Sequence, residues 1–440
     1  MNSIPKGYKK TEVGVIPDDW EVKELGNIVI IGSAKRVLQT DWKDQGIPFY
    51  RAREIVALAD NGKVDNELFI SQELYSAYDI LSPAPRAGDI MLSAVGTVGR
   101  VYCVKINDKF YYKDASVLCI RKSDLINSDY LKYQFDFHIL KKQIEEGSEG
   151  STVSTITIAR ANKYKIILPS LPEQKAIAEV LSDMNALIEG QKELIAKKRG
   201  IKQGAMQDLL SGRVRLPGYE TKGWKHTDIG DIPDDWEVKK LGEEGVFLTT
   251  SSYTRSELKE YGDVACIHYG DIHTRFHTWL DCSSTELPMI SKDMVKQYPY
   301  LKNGDLVIAD ASEDYEGLGD CVEICNIDSR LCIGGLHTIV YRAKPGLFAP
   351  SYIGLLRNLQ VVRNQLVSQA VGTKVYSLTN SMIGSILVLV PSLLSEQQAI
   401  AEVLSDMDNE IETLEAELEK LNHMKRGMMQ ELLTGRIRLI

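Results

Sequence analysis

The sequence predicts an α+β protein: two mixed α/β domains joined by two long helices that form an antiparallel coiled coil, the whole being a pseudo-twofold internal repeat. Three observations carry this expectation. Ile16-Pro17-Asp18-Asp19-Trp20-Glu21-Val22-Lys23 returns as Ile232 to Lys239, and Ala176 to Met184 returns as Ala399 to Met407, in the same order. From Glu173 to Gly212 and from Glu396 to Gly435 no residue is gained or lost, as expected where length itself is constrained. The segments between the copies diverge, which fits one scaffold carrying two different readers, and so long a period excludes a solenoid of short repeats.

The repeat divides the chain into residues 1–172 (first domain), 173–212 (first long helix), 213–395 (linker and second domain) and 396–440 (second long helix). Ile177, Val180, Leu181, Met184, Leu187, Ile188, Leu194, Ile195, Ile201 and Met206 give the first helix its apolar period. Ile400, Val403, Met407, Ile411, Leu414, Leu418 and Leu421 step by three or four, a coiled-coil seam. Ser170-x-x-Glu173 and Ser395-x-x-Gln398 read as capping boxes, and Gly212 and Gly435 as terminating glycines. A helix of about 38 residues spans roughly 57 Å, comparable to one or two turns of DNA. Lys192, Lys197, Lys198, Arg199 and Lys202 make the first helix basic, and Asp408, Glu410, Glu412, Glu415, Glu417 and Glu419 make the second acidic. An antiparallel crossing would set Lys197 and Lys198 near Asp408 and Glu410; two solvated faces are the alternative.

In each domain short apolar runs alternate with Gly, Asp and Asn turns. Ile47–Tyr50, Asp89–Leu92, Val98–Val104 and Ser116–Ile120 read as strands with Tyr130–Glu145 as a helix. The second domain gives strands at Val264–Tyr269, Asp305–Ala309, Cys321–Ile324 and Thr338–Arg342, and a helix at Pro350–Ala370.

At 440 residues and 44% hydrophobic content the chain can bury ample cores. Seven cysteines without a Cys-x-x-Cys pair argue against a disulfide framework. No apolar run has membrane-spanning length and Met1–Lys10 lacks a signal-peptide pattern, so the expectation is a cytoplasmic protein with no membrane partner. Net charge is −9, and residues 219–395 carry 16 basic against 23 acidic groups. A lone DNA binder of this charge must concentrate its cations locally or borrow them from a partner.

With these motifs in place, the chain resembles the specificity subunit of a type I restriction-modification enzyme over its whole length. The resemblance rests on Pro169-Ser170-Leu171-Pro172-Glu173-Gln174-Lys175-Ala176-Ile177 and its copy Pro391 to Ile400 at the start of each helix. The exits Leu209-Leu210-Ser211-Gly212 and Leu432-Leu433-Thr434-Gly435 complete it. Gly88-Asp89-Ile90 and Gly304-Asp305-Leu306 supply the family's Gly-Asp strand, followed by the glycine loops Gly96 to Arg100 and Gly317 to Gly319. The resemblance implies two target recognition domains, each reading one half of a bipartite, asymmetric target in double-stranded DNA. It also implies helices that dock two methyltransferase (modification) subunits, with motor-nuclease (restriction) subunits in the full complex. Methylation and restriction would both need this chain, which would be non-catalytic and bind no cofactor; S-adenosylmethionine, ATP and Mg would be used by the partners.

The residues agree that chemistry is delegated. No Asn-Pro-Pro-aromatic or Asp-Pro-Pro-Tyr run and no Gly-x-x-x-x-Gly-Lys loop is present. Pro17-Asp18-Asp19-Trp20-Glu21-Val22-Lys23 resembles a nuclease metal motif, but its Asp and Glu-x-Lys are too close, so Trp20 and Trp236 read as core or docking residues. His268, His273 and His277, near Cys266 and Cys282, match no standard zinc spacing.

For DNA contact the candidates are strand-to-loop junctions: Arg51, Arg53, Ser93, Thr97, Arg100 and Lys113 in the first domain, and His268, Tyr269, Ser312 and Tyr315 in the second. Aligning Ile55 with Ile272 sets His268 opposite Arg51 and Gly270 opposite Arg53, so a changed residue at a shared place would read a different base. Tyr111-Tyr112 is a secondary candidate, strand packing being its alternative. Glu173, Gln174, Ile177, Glu396, Gln397 and Ile400 are the candidates for docking partner subunits. Composition alone also permits a two-headed scaffold for protein or glycan.

Overall fold

A computed structural model describes residues 4–66, 68–146, 154–220, 223–276, 278–327, 330–372 and 374–439. By contact the chain forms two compact units, residues 1–192 with 416–440, and residues 193–415. This partition cuts each long helix near its middle, where the repeat in the sequence places boundaries at the helix ends.

The helices run Leu171–Leu210 and Leu394–Leu433. They pair antiparallel: in the second unit Lys198 meets Glu410 (2.6 Å), Arg199 meets Glu415 (2.5 Å) and Lys202 meets Asp408. In the first unit Gln191 donates to Glu417. The expected opposite-charge pairing is found for Lys198, Arg199 and Lys202, whereas Lys192 pairs with Glu189 on its own helix and Lys197 makes no ion pair among the described residues. Leu187, Leu194 and Ile201, counted in the apolar period, are instead exposed. Gly212 and Gly435 end the helices in the left-handed region (φ 70° and 69°).

Neither capping box forms. The Glu173 carboxylate turns away from Ser170 to take the Trp20 indole and Arg438. Ser395 lies inside its helix, and Gln398 donates to Glu402. Both Glu173 oxygens are held by Trp20 and Arg438, which orients the carboxylate away from the chain start.

The first unit builds a four-stranded antiparallel sheet in the order Ile31–Gly32, Val117–Ile120, Ile90–Ser93, Val101–Cys103. Beside it Ile47–Tyr50 pairs with Phe69–Ile70 and, in parallel, with Tyr111–Tyr112. The second unit has five strands in the order Gly245–Leu248, Thr338–Ala343, Leu306–Ala309, Cys321–Cys325, Trp279–Asp281, and a smaller sheet in which Val264–Ile267 pairs with Met289–Ile290 and Cys332–Gly334. Leu432 and Leu433, from the exit of the second helix, join Trp20, Tyr130, Ile177 and Leu181 in the core of the first unit. Leu209 and Leu210 join Trp236, Tyr352, Ile400 and Leu404 in the second.

The helix expected over Tyr130–Glu145 is two, Ser128–Asp136 and His138–Glu146, broken at the extended and buried Phe137. Its counterpart breaks equivalently at buried Leu359, between Ile353–Asn358 and Gln360–Gln369. In both, burying the linking side chain outweighs one more turn. The strand expected to reach Tyr269 stops at Ile267, because a helix, Tyr269–Thr274, starts there.

Candidate nucleic-acid interface

In the first unit the strand Ile47–Tyr50 runs into the helix Ala52–Asn61, with Arg51 at its N-cap. Glu54, 1% exposed, organises this corner. It accepts from the Arg51 backbone N–H (2.8 Å), from Arg51 Nη2 (2.8 Å) and from Arg53 Nε (2.5 Å). Burial pushes its carboxyl up, but the hydrogen bonds from Arg51 and Arg53 outweigh it and hold the group below its ordinary value. Arg51 is turned onto Glu54, while the Arg53 side chain is 56% exposed. The Lys113 backbone N–H donates to Tyr50 O (2.8 Å), which brings this exposed lysine to the same corner. At the far end of that helix Asp60 pairs with Arg100 (3.1 Å).

The second unit repeats the corner with other residues. Val264–Ile267 leads into Tyr269–Thr274, and His268 is the N-cap, its Nδ1 accepting from the Gly270 N–H (3.2 Å). The alignment that set His268 opposite Arg51 is thus found in space. It also sets Asp271 opposite Glu54; Asp271 is 4% exposed and holds Arg255 (2.5 Å) and Arg275 (3.2 Å). Sequence reasoning missed these two buried carboxylates, although the same 217-residue shift points to both. Tyr269 lies among His268, His273 and His337 at ring separations of 4.7, 6.2 and 5.3 Å. Burial holds the His268 imidazole below its ordinary value, whereas the hydrogen bond to Asp320 raises that of His273.

Other candidates change role. Ser93 is fully buried and staples the glycine loop: its hydroxyl donates to Thr97 O (2.7 Å) and accepts from the Arg100 N–H (2.9 Å). Thr97 is exposed at the loop tip and Arg100 half-exposed, so they carry what the loop presents. Ser312, 9% exposed, accepts from the Asp314 N–H (3.3 Å), a local turn bond in the second unit. Tyr315 is 48% exposed and stacks on Tyr376 at 4.1 Å. Tyr111 and Tyr112 are buried, because their strand is packed on both faces. His273 spends both ring nitrogens on Asp320 and Ala311 O, and His277 lies outside the described residues. Among the described residues no three His, Cys, Asp or Glu side chains gather as metal ligands.

The six helix-start residues proposed for docking are 1–2% exposed and are used inside the chain. Trp20 donates to Glu173 (3.0 Å), and Arg438 lies over the Trp20 ring and bonds both Glu173 (2.9 Å) and Asp19 (2.8 Å). Trp236, Glu396, Arg215 and Asp235 repeat this latch at 3.2, 2.7 and 3.0 Å. Gln174 accepts from the Asn127 N–H and Gln397 from the Ala349 N–H, both at 2.8 Å, tying each helix start to its own domain. Ile177 and Ile400 are core residues. The nuclease-like motif is accounted for by this latch, with Glu21–Lys23 and Glu237–Lys239 as surface pairs at 2.6 Å.

The family model of the type I restriction modification DNA specificity domain matches residues 17–197 and again 233–423. The chain belongs to this family. Each match takes in one of the two corners and the Trp and Glu of one latch, while Arg215 and Arg438 lie outside both. Among relatives, the type I restriction enzyme MjaVIII specificity subunit of Methanocaldococcus jannaschii is 26% identical over 96% of this chain and 94% of its own length. The EcoKI specificity subunit of Escherichia coli is 22% identical over 96% and 90%. The fold is shared with the S subunit of a type I system from M. genitalium (TM-score 0.54, 14% identity, 94% and 96% coverage). It is also shared with a chain from a structure of type I system assembly (TM-score 0.57, 15% identity, 96% and 99%). Within the specificity family's scaffold, then, the latch is conserved between the two halves of this chain while the corners differ.

Proposed function

We propose that each recognition domain reads one half of a bipartite, asymmetric site in double-stranded DNA, and that the helices dock two methyltransferase subunits. The chain binds, and catalyses nothing itself. Adenine methylation with S-adenosylmethionine, and ATP- and Mg-dependent cleavage by motor-nuclease subunits, belong to its partners in the cytoplasm, and both need this chain. The observation that carries the reading is the pair of equivalent corners with different side chains, arginines on Glu54 in one and histidines with Tyr269 in the other. One scaffold presenting different donors and acceptors suits two different half-sites. Docking would use the exposed helix faces, including Leu187, Leu194 and Ile201, since the helix starts are occupied.

The test is a genome-wide map of methylated adenine in cells with this chain and its methyltransferase, beside cells lacking only this chain. A bipartite asymmetric motif that disappears with the chain is expected. An unchanged methylome, with the methyltransferase shown to be active, refutes the reading.

A further inference from the structure

The two long helices correspond position by position at a shift of 223, so each pair across one end has a counterpart across the other. In the second unit three cations meet three acids: Lys198–Glu410, Arg199–Glu415 and Lys202–Asp408. Their counterparts in the first unit are Leu421 with Leu187, Asn422 with Lys192, and Lys425 with Asn185. The lysine of the third pair is kept and its acid has gone; in the second pair the acid has itself become a lysine. Asn185 donates instead to the Tyr133 hydroxyl (2.8 Å), and Lys192 turns to Glu189 (2.8 Å).

Lys425 is half-buried, and among the described residues no carboxylate lies within ion-pair distance of it. The charged groups that act on it are Lys132 and Asp136 on Ser128–Asp136, Lys141 on His138–Glu146, and Lys192. Burial, then these three lysines, hold its ammonium below the ordinary value, against Asp136 alone. Four ammonium groups from four helical segments, against Asp136 and the Glu189 already paired with Lys192, make a site short of an anion. The neighbourhood says which anion. Ile144, one turn along from Lys141, packs against Gly99 in the loop that carries Thr97 and Arg100. Lys141 therefore lies on the helix that packs against the loop whose Thr97 and Arg100 are candidates for DNA contact.

We infer that Lys132, Lys141, Lys192 and Lys425 form a binding site for a DNA phosphodiester. The inference rests on the DNA-reading proposal and adds to it a sequence-independent contact found in the first unit. It also explains how an acidic chain obtains local positive charge where phosphate arrives.

The experiment measures duplex affinity of the complex with its methyltransferase over a salt series, on the mapped target and on a scrambled duplex. Replacing Lys132, Lys141 and Lys425 by glutamine should weaken both duplexes and lower the log–log salt slope by about 0.9 per lost phosphate contact, up to about 2.7. Asn185→Asp restores the acid that the second unit keeps. It should lower the slope by about 1 while leaving the fold intact, which separates loss of contact from loss of structure. Unchanged slopes in both variants overturn the site. So does an unchanged slope with weakened methyltransferase binding, which would assign the lysines to a protein carboxylate. Absence of preference for the target in the unaltered complex would refute half-site reading instead, since the slope difference is also read on the scrambled duplex.

Discussion

Replacing Arg215 by methionine would strip the cation from a carboxylate that water does not reach. Glu396 is 1% exposed and accepts from Arg215 (2.7 Å) and the Trp236 indole (3.2 Å); the Arg215 guanidinium lies 5.4 Å from that ring. Removing one side of a buried pair costs about 3–5 kcal/mol, because the remaining charge is stranded. Loss of the cation over the ring adds about 0.5–1 kcal/mol. At about 2–4 °C per kcal/mol for a unit of this size, Tm should fall by about 7–24 °C. Lys198→Met is the control: its pair with Glu410 is 34% and 48% exposed, and such pairs contribute less than about 1 kcal/mol. Arg215→Met with Glu396→Gln should recover much of the loss, since the amide oxygen still accepts from Trp236 and no charge is buried. Calorimetry of the three variants decides. If Arg215→Met costs no more than Lys198→Met, or the double variant is worse than the single, the latch is not what holds the unit.

Gly200 and Gly204 face open solvent on the first helix, so alanine there should stabilise by about 0.5–1 kcal/mol each in chemical denaturation. Gly212→Ala should cost more than about 1 kcal/mol, because φ is +70° and the added Cβ would lie 2.7 Å from Pro233. The two His273 ring nitrogens face a carboxylate and a carbonyl, which raises its folded value above 6.5. Its stabilisation is complete below 6.5 and lost as pH rises through the folded value, a slope that His273→Gln should flatten in denaturation at several pH values. Arg53→Gln should relax one position of one half-site by about 1–3 kcal/mol in the methylome, leaving the other half-site unchanged.

The repeat, the helix pairing and most strands were legible because period, length conservation and charge sign are carried by contiguous residues. The Arg51–His268 equivalence was legible because one shift aligns both corners. What failed depended on tertiary competition. Glu173 reads locally as a capping residue, yet its partner Arg438 lies 265 positions away. Phe137 and Leu359 continue a helical period, yet the core claims them as extended links. Ser93 reads as a loop donor because nothing local reveals that its hydroxyl is folded under the loop it was expected to arm. The lysine cluster gathers residues from four segments, and only the comparison of the two helix ends exposes it.

The latches also set an order of events during synthesis. Residues 193–415 are continuous, so their unit can close while later residues are still being made. The first unit cannot, since its core takes Leu432 and Leu433 and its latch takes Arg438. Roughly 250 further residues at about 5–20 per second keep it waiting on the order of 10–50 s. During that interval Trp20 and the buried Glu173 lack their cation. The half made first is therefore finished last, and a nascent chain is most exposed to misfolding or capture at its N-terminal end.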